Sequence, residues 1–116
     1  MSKDRRRFIR YDIPLDVEFK MIDDASEYYS GVTINFSRSG LCFETSRNTA
    51  QLNKALDIKI SVPDSNTFTS AVGDLVWIQD LDDKYLYGIK LMVMETEAKS
   101  KVLDTAYNIW LDTMRG

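Results

Sequence analysis

Histidine is absent from this chain, and Cys42 is its single cysteine. A lone thiol cannot staple a fold. Without histidine or a second cysteine, a zinc site lacks its ordinary ligands. The missing histidine also removes the commonest general base. There is no G-x-S-x-G elbow, no Walker loop and no G-x-G-x-x-G fingerprint. The carboxylates are scattered over turns and strand faces, and no pair of them stands out. These absences argue against an enzyme and imply no cofactor. No apolar run reaches the length of a membrane span, so no membrane insertion is expected. The N-terminus is polar and basic with no apolar segment behind it, unlike a secretory signal, and a cytoplasmic location is the expectation.

What remains is an ordinary globular mixture. Of 116 residues, 44% are hydrophobic and 28% charged, enough for one compact domain and its core. The charge is uneven. Residues 1–10 carry Lys3, Arg5, Arg6, Arg7 and Arg10 against Asp4, a local balance of +4 in a chain of net charge −3, which leaves −7 for residues 11–116. An acidic body repels nucleic acid, so no nucleic-acid partner is expected. A confined basic arm suits a small anion better than a long polyanion.

Hydrophobic periodicity divides the chain. Leu15, Val17, Phe19 and Met21 alternate with Asp16, Glu18 and Lys20, the mark of a half-buried strand. Asp23-Asp24-Ala25-Ser26 reads as a turn. Val32, Ile34 and Phe36 alternate with Thr33 and Asn35 as a second strand. Leu41, Phe43 and Thr45 alternate with Cys42 and Glu44 as a third, where Cys42 reads as a buried filler. Residues 46–55 are polar and read as a loop. Leu56, Ile58, Ile60 and Val62 make a fourth strand, stopped at Pro63-Asp64-Ser65-Asn66. Residues 67–79 make a long fifth strand with room for a bulge at Gly73-Asp74. After a turn at Asp80, Asp82 and Asp83, the residues Tyr85, Tyr87, Ile89, Leu91 and Val93 give a sixth.

The period then changes. Val102, Leu103, Ala106, Tyr107, Trp110 and Met114 recur at spacings of three and four, one face of a helix from about Thr96 to Arg115. Thr96 can cap it, while Glu97 and Arg115 suit its two dipole ends. Glu97 and Lys101 can pair one turn apart. Six short strands and one helix predict a mostly β fold: a small six-stranded antiparallel barrel with a helix packed on it. The expected organisation is a single domain over 1–116, with a flexible basic arm at 1–12, the barrel at 13–94 and the helix at 95–115.

Two stretches carry candidate chemistry. Arg6 and Arg10 lie four positions apart, on the same side of an extended chain. The guanidinium fork fits a phosphate or the paired acceptors of a guanine edge, and its flat face stacks on a base. "NFSRSG", Asn35 to Gly40, follows one strand and precedes another. Asn35 and Ser37 share a face if the strand continues. Asn35 donates to and accepts from a base, and Ser37 can bond a phosphate or base edge. Gly40 permits a positive backbone dihedral or a ligand's close approach to the main chain.

Arg6-Arg7-Phe8-Ile9-Arg10 and Asn35-Phe36-Ser37-Arg38-Ser39-Gly40 together resemble the PilZ domain family, marked by R-x-x-x-R in an N-terminal arm and (D/N)-x-S-x-x-G at a barrel strand end. The likeness extends over nearly the whole chain, including "LVWI" around Trp77, "YLYGIKL" and the final helix. The resemblance implies a split-barrel type fold. It implies binding of cyclic di-GMP, a bacterial second messenger with two guanines and two phosphates, and signalling to a separate protein partner. It implies that Arg6 and Arg10 grip phosphates and guanine edges or stack on a base, with Arg5 adding a contact. Asn35 and Ser37 would meet the ligand from the other side, and Gly40 would keep the turn open. Asn35 stands where aspartate is frequent, which loses a carboxylate but keeps an acceptor.

Blander readings stand beside these. An arginine run is more commonly a solvated tail. "SRSG" alone would be a hairpin turn, with Arg38 and Ser39 on its surface. Asn35-Phe36-Ser37 matches an N-glycosylation pattern, at odds with the missing leader. Trp77 reads first as core and second as a wall against a bound guanine. Tyr107 and Trp110 read as helix-to-barrel packing. The alternative function is a ligand-independent protein-interaction module on a small barrel.

Overall fold

A computed structural model describes residues 10–24, 27–46, 50–62 and 66–115. The arm arginines Arg5, Arg6 and Arg7 lie outside the described residues, as do parts of the turns expected at 23–26 and 63–66 and of the loop at 46–55. The side chains of Met114 and Arg115 also fall outside.

Six strands follow one another: β1 (Asp16–Met21), β2 (Tyr29–Phe36), β3 (Gly40–Thr45), β4 (Ala55–Ser61), β5 (Phe68–Asp80) and β6 (Tyr85–Met94). All pairings are antiparallel, and they close in the order β1-β2-β3-β6-β5-β4. Closure removes the unpaired edges that a six-stranded sheet would expose. One helix, α1 (Thr96–Arg115), completes the chain.

Alternation places the core. Leu56, Ile58 and Ile60 are fully buried, as are Val17 and Phe19 on β1. Phe19, Phe43 and Tyr87 interlock inside the barrel with ring centroids 4.9–5.6 Å apart. The buried Tyr87 hydroxyl accepts from the Ala50 amide at 3.4 Å, so its polar end is not stranded.

On β2 the polar member of the alternation is the buried one. Val32 and Ile34 are exposed, and Thr33 takes the inner position at 2% exposure. Thr33 accepts from the Leu15 amide at 2.7 Å and donates to the Ile13 carbonyl, joining the segment around Pro14 to β2. A buried hydroxyl with both partners satisfied fits a core. A bulge between Thr33 and Asn35 resets the phase and returns Phe36 to the interior. The bulge expected on β5 is present at Val72/Gly73, with a second at Leu75/Trp77. On β6, Val93 is 65% exposed, because the strand runs past the packed end of the barrel.

The helix buries Val102 and Ala106, but Tyr107 and Trp110 are half-exposed rather than packed on the barrel. Both rings meet Tyr11 edge-on, with centroids at 6.3 Å. The Glu95 carbonyl accepts the first helical hydrogen bond, from Lys99 at 2.9 Å, so Glu95 holds the cap position and Thr96 begins the helix. Among the described residues, Glu97 and Lys101 form no ion pair. No helix among the described residues is long and apolar enough to cross a membrane.

Candidate functional site

The strand register assembles the site. Asn35 pairs with Cys42, Cys42 with Gly88, and Gly88 with Trp77, a single row across β2, β3, β6 and β5. Cross-strand partners share a face of the sheet. At about 4.8 Å per strand, the row sets the Asn35 and Trp77 backbones about 14 Å apart. A neighbouring row joins Gly40 to Lys90 and Lys90 to Asp74. Leu41, Phe43 and Ile89 point into the barrel, so Cys42, Gly88 and Lys90 belong to its outer face.

Two glycines and a small thiol leave that face shallow. Arg10, Gly40, Cys42, Trp77, Gly88 and Lys90 line a cavity of about 280 Å³ there. Trp77 is 41% exposed, which overturns its reading as a core residue. Its indole lies across Gly88: a Cβ added at Gly88 would overlap the five-membered ring. The tryptophan is therefore a wall standing on a glycine. An isolated glycine within a strand signals a close approach, and that signal was present at Gly88 in the sequence.

Arg10 reaches this cavity through its neighbour. Tyr11 and Phe36 exchange backbone hydrogen bonds at 2.8 and 2.9 Å, an antiparallel bridge at the last residue of β2. Arg10 thereby stands beside the Ser37 turn. Its positive charge partly offsets the burial that pushes the Cys42 thiol pKa up, while Glu44 adds to the rise. Arg5 and Arg6 lie outside the described residues, so Arg10 alone represents the arginine motif.

The turn has an internal logic. Ser37 is 2% exposed. Its hydroxyl accepts from the Ser39 and Gly40 amides, each at 3.3 Å, and faces the Gly40 carbonyl at 3.2 Å. Ser37 therefore shapes the loop from within, a role that reading it only as a ligand contact missed. Gly40 needs neither a positive dihedral nor a ligand to explain it. A Cβ there would collide with the Ile89 carbonyl oxygen, so glycine permits β3 to lie against β6. Helix α1 supports the turn from outside: the Lys99 ammonium donates to the Arg38 carbonyl at 3.1 Å.

Asn35 is different. Its Oδ1 is buried and has no hydrogen-bond partner among the described residues. A buried acceptor without a donor costs about 1–3 kcal/mol, so such atoms are rare unless something external satisfies them. Among the described residues there is no group of histidine, cysteine and carboxylate side chains placed to hold a metal ion.

Fold and site together define a small closed barrel with a shallow outer shelf lined by an exposed indole and two cations. Residues 4–107 match the family model "PilZ domain", and the chain belongs to that family. No curated protein matches it by sequence. Among solved structures, the chain is similar to the Bacillus subtilis inhibitor of motility (MotI/DgrA), with a TM-score of 0.75 and 16% identity over 95% of this chain. It spans about half of that protein, 53% of its length. The PilZ domain of YcgR from Escherichia coli, solved with c-di-GMP, matches with a TM-score of 0.72 and 12% identity, covering 97% of this chain and 95% of that one. The PilZ domain of CeSA from a cellulose-synthesizing bacterium matches at 0.62 and 14%, covering 87% and 97%.

Proposed function

We propose that this domain is a receptor for cyclic di-GMP that signals to a separate protein. The observation that carries the reading is the unpartnered Asn35 Oδ1 on the same sheet row as Trp77, beside the cavity that Arg10 lines. A guanine offers N–H donors for that oxygen and a flat face for the indole. The dinucleotide's phosphates suit the guanidinium fork. Membership of the PilZ family, and likeness to a domain solved with c-di-GMP, agree with this.

Arg10 is joined in the proposal by Arg5 and Arg6 of the arm. Asn35 contacts the ligand, Ser37 and Gly40 hold the turn, and Trp77 forms the far wall. Ligand phosphates neutralise part of the +4 arm, so binding draws the arm onto the shelf beside Arg10. The contacts must exceed the entropy of ordering the chain. Tyr11 then carries the change outward, because it bridges Phe36 on one side and touches Tyr107 and Trp110 on the other.

Those half-exposed helix rings also favour a second reading, a protein-interaction module that needs no ligand. Calorimetric titration separates the two. Heat with cyclic di-GMP and none with GMP or cyclic GMP supports the receptor. Arg6→Ala or Arg10→Ala should abolish or greatly weaken binding while the barrel stays folded. Unchanged binding by both variants refutes the site.

A further inference from the structure

We infer that Lys90, outside both arginine and turn motifs, is a further ligand-binding residue that holds a phosphate of the dinucleotide against the shelf. The inference rests on the receptor reading and adds a cation that the motifs do not supply.

Residues 11–116 carry a net charge of −7, yet no acidic residue lines this cavity. Its charged lining residues are Arg10 and Lys90, both exposed and both cations. Neither has a carboxylate partner among the described residues. Asp74, opposite Lys90 in the register, forms no ion pair with it. Other cavities on the barrel differ. One of about 520 Å³ is lined by Asp16, Glu18 and Glu44 with Lys84, and one of about 330 Å³ by Glu95 and Glu97 with Lys101, so carboxylates outnumber cations in both. No carboxylate lines this shelf, although Asp74 stands opposite Lys90 in the register, and its two cations make no ion pair among the described residues. That is the field an anion requires.

The backbone of Lys90 is also fixed. It is paired to Gly40 on β3 and to Asp74 on β5, and the adjacent Leu91 amide donates to the Ser39 carbonyl at 3.0 Å. Lys90 stands two residues beyond Gly88 on the same face, so its side chain leaves from the glycine floor on which Trp77 lies. Flexibility is confined to the four-carbon stem, and a point charge with three donors tolerates a range of phosphate positions.

The test is calorimetric titration of the full chain with cyclic di-GMP at two salt concentrations. Lys90→Met should weaken binding about three- to tenfold, the range of one partly exposed charge-assisted contact. Lys90→Glu should weaken it further, and Lys90→Arg should restore at least half of the loss in binding free energy. The affinity of Lys90→Met should also depend less steeply on salt than that of the parent, because one screened attraction is gone. Lys101→Met, a charge change on the helix away from the shelf, should leave affinity within twofold. Thermal melts of every variant should match the parent. If the parent binds and both Lys90→Met and Lys90→Glu bind within twofold of it, the inference is wrong. If Lys101→Met loses as much as Lys90→Met, the effect is only global charge and the inference is again wrong. No heat with the parent protein overturns the receptor reading itself.

Discussion

Gly88→Ala tests whether the shelf is built as described. The added methyl would occupy the space of the Trp77 five-membered ring, so one of them must move. The β6 backbone is paired on both sides and cannot yield cheaply. The indole is 41% exposed and can swing outward. A tryptophan buries about 150–250 Å² when covered, and Trp77 is a little over half covered. At about 25 cal/mol per Å², complete displacement loses about 2–4 kcal/mol. Alanine returns about 0.5–1 kcal/mol through its lower backbone entropy, and partial repacking returns more. The net cost should be about 1–3 kcal/mol, a fall in melting temperature of about 4–20 °C for a domain of this size. Base–aromatic stacking contributes about 1–3 kcal/mol, so cyclic di-GMP should bind at least about fivefold more weakly. Circular dichroism melts and calorimetry measure the two effects, and indole fluorescence reports the swing. Trp77→Ala should reproduce the binding loss, and adding Gly88→Ala to it should cause little more, because both changes remove one wall. Parental affinity and fluorescence in Gly88→Ala would refute the glycine-supported wall.

Three further outcomes follow from the same geometry. Asn35→Ala removes a buried acceptor without a donor, so it should leave stability to urea unchanged or raise it by up to about 1 kcal/mol while reducing ligand affinity, and a fall in both would contradict the assignment. Gly40→Ala drives a methyl into the Ile89 carbonyl, backbone against backbone, and should destabilise the barrel by about 1–3 kcal/mol in urea titrations; a neutral result would mean that β3 and β6 can part without loss. Cys42 is buried and its thiol pKa is raised above its ordinary 9.0, chiefly by burial. The folded state therefore holds that proton more tightly than the unfolded state, and the associated stability is present below pH 9.0 and lost as pH rises through the folded value. Urea midpoints should decline in alkaline buffer, and less so in Cys42→Ala. In the folded parent at neutral pH, alkylation of the thiol should be slow until denaturant is added.

Periodicity decided the elements. Alternation from Leu56 to Val62 and the three-four spacing from Val102 to Trp110 each encode one structure, because side-chain direction repeats every two residues in a strand and every 3.6 in a helix. The paired motifs identified the family from the chain alone. Periodicity could not anticipate Thr33 taking the place of Val32 and Ile34 inside the barrel. That choice depends on hydrogen bonds to Ile13 and Leu15, partners twenty and eighteen residues away.

The site divides the same way. Arg10, Asn35, Ser37 and Gly40 were legible as motif positions, but the work done by Ser37 and Gly40 was not. One closes a turn from within, and the other lets two strands touch. Trp77, Gly88 and Lys90 lie 37, 48 and 50 residues beyond Gly40, and only strand register brings them to one face. A sequence fixes which residues lie opposite each other along its own length. Which strand lies beside which, and with what bulges, is settled by closing the barrel, since that alone pairs every edge and buries every inward side chain at once.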